Sequence, residues 1–479
     1  MSNATDATQV STPEKGGGTL GLPQATALVV GGIIGCGLFG LPGLVGGYGM
    51  MSVVVLAVVT IGAIALALMF GSLVKRVPAA GGPYAYSRYY FGDFAGFTSA
   101  WPYWITAWAG NAGIVVIWTN YVINLFNLDG NSKIIAMVIA MIGLWIPAIV
   151  NLGGVKNMGL FQVITTVMKF IPLVFVATVG LVFAFTRHNF PAFNTSGTSF
   201  FTAFSTCGAL ILFSYLGVEL ASVAAGKIKD PEKNVPIATV AGTGVCGIAY
   251  ILTLVAILGI LPTTVLADNG GAAFSVAMNE IFGGTWSGTL MSFFIVVSGI
   301  GALNGWTMIC AEMPQAAANE GLFPAFFAKT SKRDVPYWGI IFSTALASAF
   351  TLFAYVSTDD VSNAGSTGVL GILVLVTGVT AAVPYFFSAV AQIYYLTTTG
   401  KIVSPKTFVK DMIIGIAALL FSFWFVFGSG QQATFYAYLI ILVGYVVLMG
   451  LYIKRKKVGG IIEGDDSPPV SAARVSQSK

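Results

Sequence analysis

Apolar stretches recur along the whole chain, separated by short segments that hold most of the charged residues. A run of about 20 apolar residues is what an α-helix needs to cross the hydrocarbon core of a bilayer. The pattern therefore predicts an all-α integral membrane protein with about twelve spans. The predicted spans are 24–47, 51–74, 95–125, 133–151, 158–185, 199–225, 235–261, 285–311, 337–357, 368–397, 407–427 and 432–453.

Composition supports this prediction and excludes most soluble classes. Of the 479 residues, 56% are hydrophobic and 9% are charged, whereas soluble domains carry about 25% charged residues. A soluble chain this apolar would expose large apolar patches and aggregate. Because so little chain lies outside the predicted spans, we expect no soluble enzyme domain, no enzymatic activity and no cofactor.

The basic residues predict the orientation. With both termini in the cytoplasm, the lysines and arginines of the loops concentrate at the cytoplasmic ends of the spans, against Lys133 and Arg187 outside. They are dispersed over many loops, and only Lys454–Lys457 is contiguous. We therefore expect the net charge of +5 to face the anionic lipid of the plasma (inner) membrane, and no nucleic acid to be bound.

Cysteine and histidine positions limit the chemistry. The four cysteines, Cys36, Cys207, Cys246 and Cys310, all fall inside predicted spans, so no disulfide framework is expected. The single histidine, His188, falls in a predicted outer loop. A nucleophile–histidine–acid triad at membrane depth is therefore excluded, and no metal site is expected.

The first and sixth predicted spans contain sequence that disfavours a continuous helix. Gly31–Gly37 holds four glycines in seven residues, and each glycine costs about 1 kcal/mol relative to alanine in a helix interior. In the sixth span, Ser214, Gly217 and Glu219 lie at mid-membrane depth. We expect both helices to be interrupted there, although the glycines could alternatively serve helix packing.

The two interrupted spans occupy equivalent places in two successive units of five spans. This spacing predicts inverted repeats over about 24–185 and 199–397, followed by two extra helices over 407–453. Interrupted helices at matching positions are the strongest sequence indication of a transporter's substrate site. The amides of a half-helix N-terminus can bind a carboxylate, and freed carbonyls can accept hydrogen bonds from an ammonium group.

Five segments carry a family resemblance. They are Gly31–Gly37, Gly81–Tyr86, Tyr103–Asn111, Gly217–Thr239 and Asn304–Pro324. Over roughly residues 20–455, the chain resembles the amino acid–polyamine–organocation superfamily, above all its basic amino acid/polyamine antiporters. The resemblance implies a five-plus-five inverted-repeat domain over 21–455, between disordered cytoplasmic segments 1–20 and 456–479.

The resemblance also implies a function. It indicates a secondary active exchanger of cationic amino acids or their decarboxylated amines, such as arginine, lysine, ornithine, agmatine and polyamines, working by alternating access. Its partners would be the small-molecule substrate, the lipid bilayer and, as options left open, protons and a second copy in a homodimer. A proton-coupled symporter for neutral or broad-range amino acids is the alternative.

The resemblance further implies a substrate site. Its residues would be Ile33, Gly35, Cys36, Gly37, Asn111, Phe213, Ser214, Trp306 and Thr377. Backbone amides of 33–37 would hold the α-carboxylate, and Ser214 with its neighbours the α-amino group. Trp306 would stack on the substrate side chain, and Asn111 would bind its distal end. Some relatives have tryptophan at the position of Phe213, so the identity of the cation stays open.

Four further residues have implied roles with alternatives. Tyr103 and Tyr385 would gate the site. Glu219 is the one acid predicted to lie well inside a span, and it would exchange a proton or else bind unwound backbone. Lys169 resembles the lysine that takes the place of sodium in some relatives, which would make it a coupling residue. The alternative is that it snorkels to the membrane surface.

Overall fold

The chain folds into helices connected by short turns. The computed structural model describes residues 20–35, 37–77, 81–130, 132–154, 158–187, 189–357, 368–398 and 404–458. The helices are α1 (Leu22–Ile33), α2 (Gly37–Val45), α3 (Met51–Val74), α4 (Pro83–Phe126), α5 (Lys133–Leu152), α6 (Met158–Phe175), α7 (Leu181–Arg187), α8 (Phe200–Leu212), α9 (Leu220–Val223), α10 (Pro231–Ile260), α11 (Thr263–Asn269), α12 (Ala273–Phe282), α13 (Trp286–Asn319), α14 (Tyr337–Ser357), α15 (Val369–Thr398), α16 (Pro405–Gly428) and α17 (Gly430–Val458).

Eleven helical stretches within the described residues are long and apolar enough to cross a membrane. The all-α membrane fold predicted from the sequence is confirmed. The predicted sixth span accounts for the difference from twelve, because its regular helix ends at Leu212 and resumes as only four residues, Leu220–Val223. The sequence predicted an interruption at this place.

Three features of the helices and their connections differ from the prediction. The segment before the third span is helical from Pro83, and α4 continues through a kink at Gly92, whose φ of 82° only glycine adopts easily. The predicted loop between the seventh and eighth spans contains α11 and α12. The predicted fifth span includes a π-helical turn at Val176–Gly180 between α6 and α7. His188 and residues 1–19 and 459–479 lie outside the described residues.

The helices form an inner and an outer group. The most apolar 18 residues of α4 and of α15 are mostly buried. These two helices pack along each other, and α13 packs against α4. By contrast, α17 has most of its surface exposed, and exposed side chains elsewhere include Phe201, Phe427 and Val356. Large apolar side chains exposed on the outer helices are expected of a lipid-facing surface.

A buried ion pair ties α16 to the inner helices. Arg76, just after α3, pairs with Asp411 of α16 and donates a hydrogen bond of 3.1 Å to Gln392 of α15. The Arg76 guanidinium also lies 4.5 Å above the ring of Tyr395. Sequence reasoning singled out Glu219 as the acid inside a span and missed Asp411, which is buried near the start of α16.

Candidate functional site

The first interruption separates α1 from α2. The α1 helix ends at Ile33, and Ile34 leaves helical geometry with a ψ of 63°. The next helix begins at Gly37, so the helix is interrupted at Ile34 and Gly35, within the glycine-rich segment where the sequence predicted a break. Cys36 lies outside the described residues, so its predicted role stays a prediction.

The second interruption separates α8 from α9. A 3₁₀ turn at Phe213–Tyr215 is followed by Leu216 in extended geometry, with a ψ of 134°. Gly217 then adopts a φ of 105°, which side-chain-bearing residues rarely adopt. The chain resumes helical geometry after Glu219. The glycine and the carboxylate that drew attention in the sequence therefore lie in the break itself.

The two interruptions touch each other. A methyl group built on Gly217 would lie 2.9 Å from the carbonyl carbon of Gly32, and one built on Gly32 would overlap Leu220. These two glycines thus permit a backbone approach that larger residues would prevent. The broken halves of two helices distant in the sequence meet at one place in the molecule.

Tyr250 of α10 bridges the two interruptions. Its hydroxyl lies 2.7 Å from the carbonyl oxygen of Ile33 and 2.8 Å from that of Ser214. A phenol has one proton to donate. Here that proton is shared between two carbonyls that the broken helices leave without helical partners. Sequence reasoning missed Tyr250. The signal available in the sequence was a tyrosine near the middle of the predicted span 235–261.

A small cavity lies where the interruptions meet. It is lined by Gly32, Ile33, Gly35, Gly37, Thr106, Gly110, Ile114, Phe213, Leu216 and Trp306. Its volume of about 10 Å³ corresponds to roughly one water molecule. Five of the predicted substrate residues line it, namely Ile33, Gly35, Gly37, Phe213 and Trp306. Gly32, Thr106, Gly110, Ile114 and Leu216 were not predicted.

Asn111 and Ser214 lie beside the cavity with unused polar atoms. The Asn111 amide nitrogen is 3.5 Å from the Thr307 hydroxyl and 3.8 Å from the Cys310 sulfur. The Asn111 side-chain oxygen and the Ser214 hydroxyl are buried and have no hydrogen-bond partner among the described residues. An unsatisfied buried polar atom costs about 1–3 kcal/mol, so a polar ligand at either atom would recover stability.

Thr377, also predicted to bind substrate, does not line the cavity. Its hydroxyl donates a hydrogen bond of 2.7 Å to the carbonyl of Leu373 one turn earlier in α15. Its methyl carbon is 3.9 Å from the place where a side chain on Gly110 would begin. Thr377 therefore packs against the α4 wall of the cavity, with its hydroxyl already engaged.

Glu219 is held by the two predicted gating tyrosines. Tyr103 of α4 donates to one carboxylate oxygen at 3.0 Å, and Tyr385 of α15 donates to the other at 2.7 Å. All three side chains are buried, and Glu219 has no exposed surface. The arrangement joins the second interruption to the two innermost helices through a single carboxyl group.

Lys169 points toward the first interruption. Its ammonium donates a hydrogen bond of 3.2 Å to the carbonyl oxygen of Gly31 at the end of α1, and the residue is 1% exposed. This geometry contradicts the alternative that the side chain snorkels to the membrane surface. A positive charge is thereby placed beside the α1 carbonyls that precede the break.

The described residues do not contain a group of three or more potential metal ligands. Within the cavity lining no side chain is charged. Carbonyls, amides, two aromatic rings and a hydroxyl are the groups that a bound molecule would meet. They suit a zwitterion or an amine with an aliphatic chain, since aromatic faces attract cations and unwound backbone offers both donors and acceptors.

Two broken helices meeting at a small cavity between the inner helices define the class as a multi-pass membrane transport protein. The chain matches the family profile described as amino acid permease over residues 20–453. It therefore belongs to the amino acid permease family. The expected superfamily membership is confirmed.

Three relatives match over most of their length. The putrescine transporter PotE of Haemophilus influenzae is 29% identical over 436 residues, covering 89% of this chain and 96% of that protein. An arginine/ornithine antiporter of Pseudomonas aeruginosa is 29% identical, with 86% of each chain covered. A cadaverine/lysine antiporter of Escherichia coli is 28% identical, covering 89% of this chain and 94% of that protein.

Proposed function

We propose that this protein exchanges cationic amino acids and their decarboxylated amines across the membrane by alternating access. The observation that carries the proposal is the meeting of two interrupted helices at a cavity walled by backbone and by the rings of Phe213 and Trp306. The relatives support the substrate class, because their names specify a diamine, a pair of cationic amino acids, and a diamine with a cationic amino acid. They favour exchange over proton-driven uptake of neutral amino acids.

One pocket can serve both members of such an exchange. Gly37 begins the nine-residue helix α2, and the free amides of a helix N-terminus attract a carboxylate. The carbonyls of Ile33 and Ser214 offer acceptors to an amino group. An amine that has lost its carboxylate keeps the contacts with the carbonyls and rings but not those with the amides. We propose that this shared chemistry lets substrate and counter-substrate use the same site.

The small volume of the cavity requires motion before a substrate can bind. At about 10 Å³ it cannot contain an amino acid, so the broken segments must separate from α4 and α13 on at least one side of the membrane. The hydrogen bonds from Tyr103 and Tyr385 to Glu219 join the second interruption to α4 and α15. We propose that these bonds break when the site opens, which is the gating role assigned to the two tyrosines.

Proton coupling is proposed for Glu219 and Lys169. Both are buried ionisable groups beside an interrupted helix, and ionisable groups inside membrane spans are usually functional, so each could take up or release a proton as the site opens. A structural role is the rival, with both groups only satisfying unwound backbone. Lys169→Ala separates the two, since coupling predicts loss of gradient-driven accumulation with equilibrium exchange retained. A purely structural lysine predicts equal loss of both activities.

The proposed setting is the plasma (inner) membrane with both termini in the cytoplasm. The family and the many apolar helices support a multi-pass protein of the cell membrane, and the bias of lysine and arginine supports the orientation. A homodimer is proposed in addition. Protease digestion of a C-terminal tag in sealed right-side-out vesicles tests the orientation, because a cytoplasmic tag stays intact there.

Counterflow in proteoliposomes tests the function. Vesicles loaded with arginine, lysine, ornithine, agmatine, putrescine or cadaverine are diluted into trace radiolabelled arginine or putrescine. Exchange predicts uptake that depends on the internal substrate and saturates for one pair. Uptake into empty vesicles driven by a pH gradient, with no stimulation by internal amine, would instead indicate the symporter. Absence of uptake with every cationic pair would overturn the substrate class.

A further inference from the structure

The ring of Phe213 is enclosed between two glycines from different helices. A methyl group built on Gly113 of α4 would lie 2.9 Å from Cζ of the ring and 3.2 Å from Cε2. One built on Gly37 of α2 would lie 3.4 Å from Cδ1 and Cε1. The ring therefore occupies space that side chains at these two positions would otherwise fill.

Of the two glycines, only Gly113 is so close to the ring that an added methyl group would displace it. Real β-carbons do not approach another atom to 2.9 Å, so a methyl at Gly113 forces the ring to shift, whereas 3.4 Å is ordinary contact at Gly37. The backbone of the Phe213 turn is held, since Tyr250 lies 2.8 Å from the next carbonyl and Leu216 donates to that of Phe213. The ring must then respond by rotating its side chain.

From these contacts we infer that Gly113 is a specificity-determining residue, which sets the length of substrate side chain that the pocket accepts by fixing the Phe213 ring against α4. Phe213 lines the cavity, and Gly113 lies behind the ring, outside the lining. A ring displaced from α4 moves into the volume that a long substrate chain would use. The inference rests on the proposed function, since it concerns the same pocket.

The chain offers a matched control at Gly378. This buried glycine lies in α15, and a methyl built on it would meet Leu212, the residue before Phe213, at an ordinary 3.6 Å. Gly378→Ala and Gly113→Ala make the same chemical change inside a buried helix and gain the same helix propensity. They differ in whether the Phe213 ring must move.

The test is counterflow with a series of amines and amino acids of increasing chain length. For Gly113→Ala we expect the KM for arginine to rise by about tenfold, the discrimination that one misplaced methylene produces in an apolar pocket. The KM for ornithine should change far less, and Gly378→Ala should keep the wild-type ratio between the two. In a Phe213→Leu background, adding Gly113→Ala should cause no further change in that ratio, because the smaller side chain leaves room for the methyl.

Three outcomes would overturn the inference. An unchanged arginine-to-ornithine ratio in a well-folded Gly113→Ala protein would do so. An equal loss for all substrates in Gly113→Ala, repeated when Gly113→Ala is added to Phe213→Leu, would show a purely structural role. If Gly113→Ala is not recovered as monodisperse protein, the double variant is compared with Phe213→Leu alone, and any difference in selectivity between them contradicts the inference. Failure of the proposed function is separate, since the wild type would then exchange no cationic pair.

Discussion

Tyr250 donates a hydrogen bond to the carbonyl of Ile33, 217 positions away in the chain, across 2.7 Å. The same hydroxyl lies 2.8 Å from the carbonyl of Ser214 in the other interrupted helix. One proton thus links the two non-helical segments on which the proposed transport cycle depends, and an opening motion that separates them must release at least one of these contacts.

Removing this hydroxyl should loosen the site and leave the fold intact. For Tyr250→Phe we expect slower exchange and a loss of stability of about 1 kcal/mol, the typical net value of a buried hydrogen bond. Exchange rate and thermal melting in detergent measure the two effects. Tyr355→Phe is the matched control, because that buried hydroxyl has no partner in the part of the chain that the structure describes. Equal behaviour of the two variants would remove Tyr250 from the site.

Filling the cavity at the first interruption should block substrate. A methyl on Gly35 would make only ordinary contacts of 3.7–4.0 Å, with Gly32, Ile114 and Ala302, so Gly35→Ala should be tolerated. Gly35→Leu adds three more carbons toward a cavity of about 10 Å³. We expect normal expression and monodispersity but no measurable binding by calorimetry. Wild-type transport by Gly35→Leu would show that this segment does not line the substrate path.

The Trp306 ring should contribute to affinity for cationic substrates. Its removal in Trp306→Ala should weaken arginine binding by up to about 2 kcal/mol, the value of a desolvated cation–π contact. Phe213→Trp should strengthen binding of a guanidinium substrate, since tryptophan is the better partner. Equilibrium binding of labelled arginine measures both. An unchanged affinity in both variants would exclude the two rings from substrate contact.

Glu219 should control any dependence of exchange on pH. If its carboxyl group takes up and releases a proton during transport, Glu219→Gln should flatten the pH profile and leave some exchange. Glu320→Gln is the control, because that acid is exposed and pairs with Arg88. Exchange rates from acidic to alkaline pH provide the measurement. A parental profile in Glu219→Gln would assign the carboxyl to structure alone.

The ion pair between Arg76 and Asp411 should stabilise the attachment of α16. Removing one partner leaves a buried charge uncompensated, so Arg76→Ala or Asp411→Asn should cost about 3–5 kcal/mol. The double variant Arg76→Met/Asp411→Leu replaces both charges with apolar groups and should recover most of that loss. Thermal melting of the purified protein distinguishes these cases. A single variant as stable as the wild type would show that the pair contributes little.

Much of the fold follows from local sequence. Long apolar runs specify membrane helices because a bilayer leaves the backbone no other partners, and four glycines within Gly31–Gly37 indicated the first break. Glu219 was predicted to be functional because it is an ionisable residue within a long apolar run. Asp411 did not, because near a helix end an acid can reach water in most proteins. Its burial depends on Arg76, 335 residues away.

Site residues could be predicted where a sequence motif defines the local backbone. They were missed where packing between distant helices determines which side chains line the cavity. Phe213 and Trp306 were expected at the cavity, and they line it. Gly110 and Thr106 were not, since small residues in an apolar helix carry no signal of which face they occupy. Thr377 was assigned a substrate contact, but its hydroxyl is bonded within its own helix. Side-chain direction of that kind is set by neighbouring helices.

The short backbone bridge between Leu20 and the segment after α9 constrains how the molecule can move. Leu20 accepts a hydrogen bond from Lys229 at 2.8 Å and donates one to Lys227 at 3.0 Å, while Gly32 at the far end of α1 contacts Gly217 just before α9. The α1 helix is thus attached at its N-terminal end to the segment after α9 and at its C-terminal end to the segment before α9. Neither helix can tilt alone without breaking one attachment, so any movement of α1 is coupled to movement of α9.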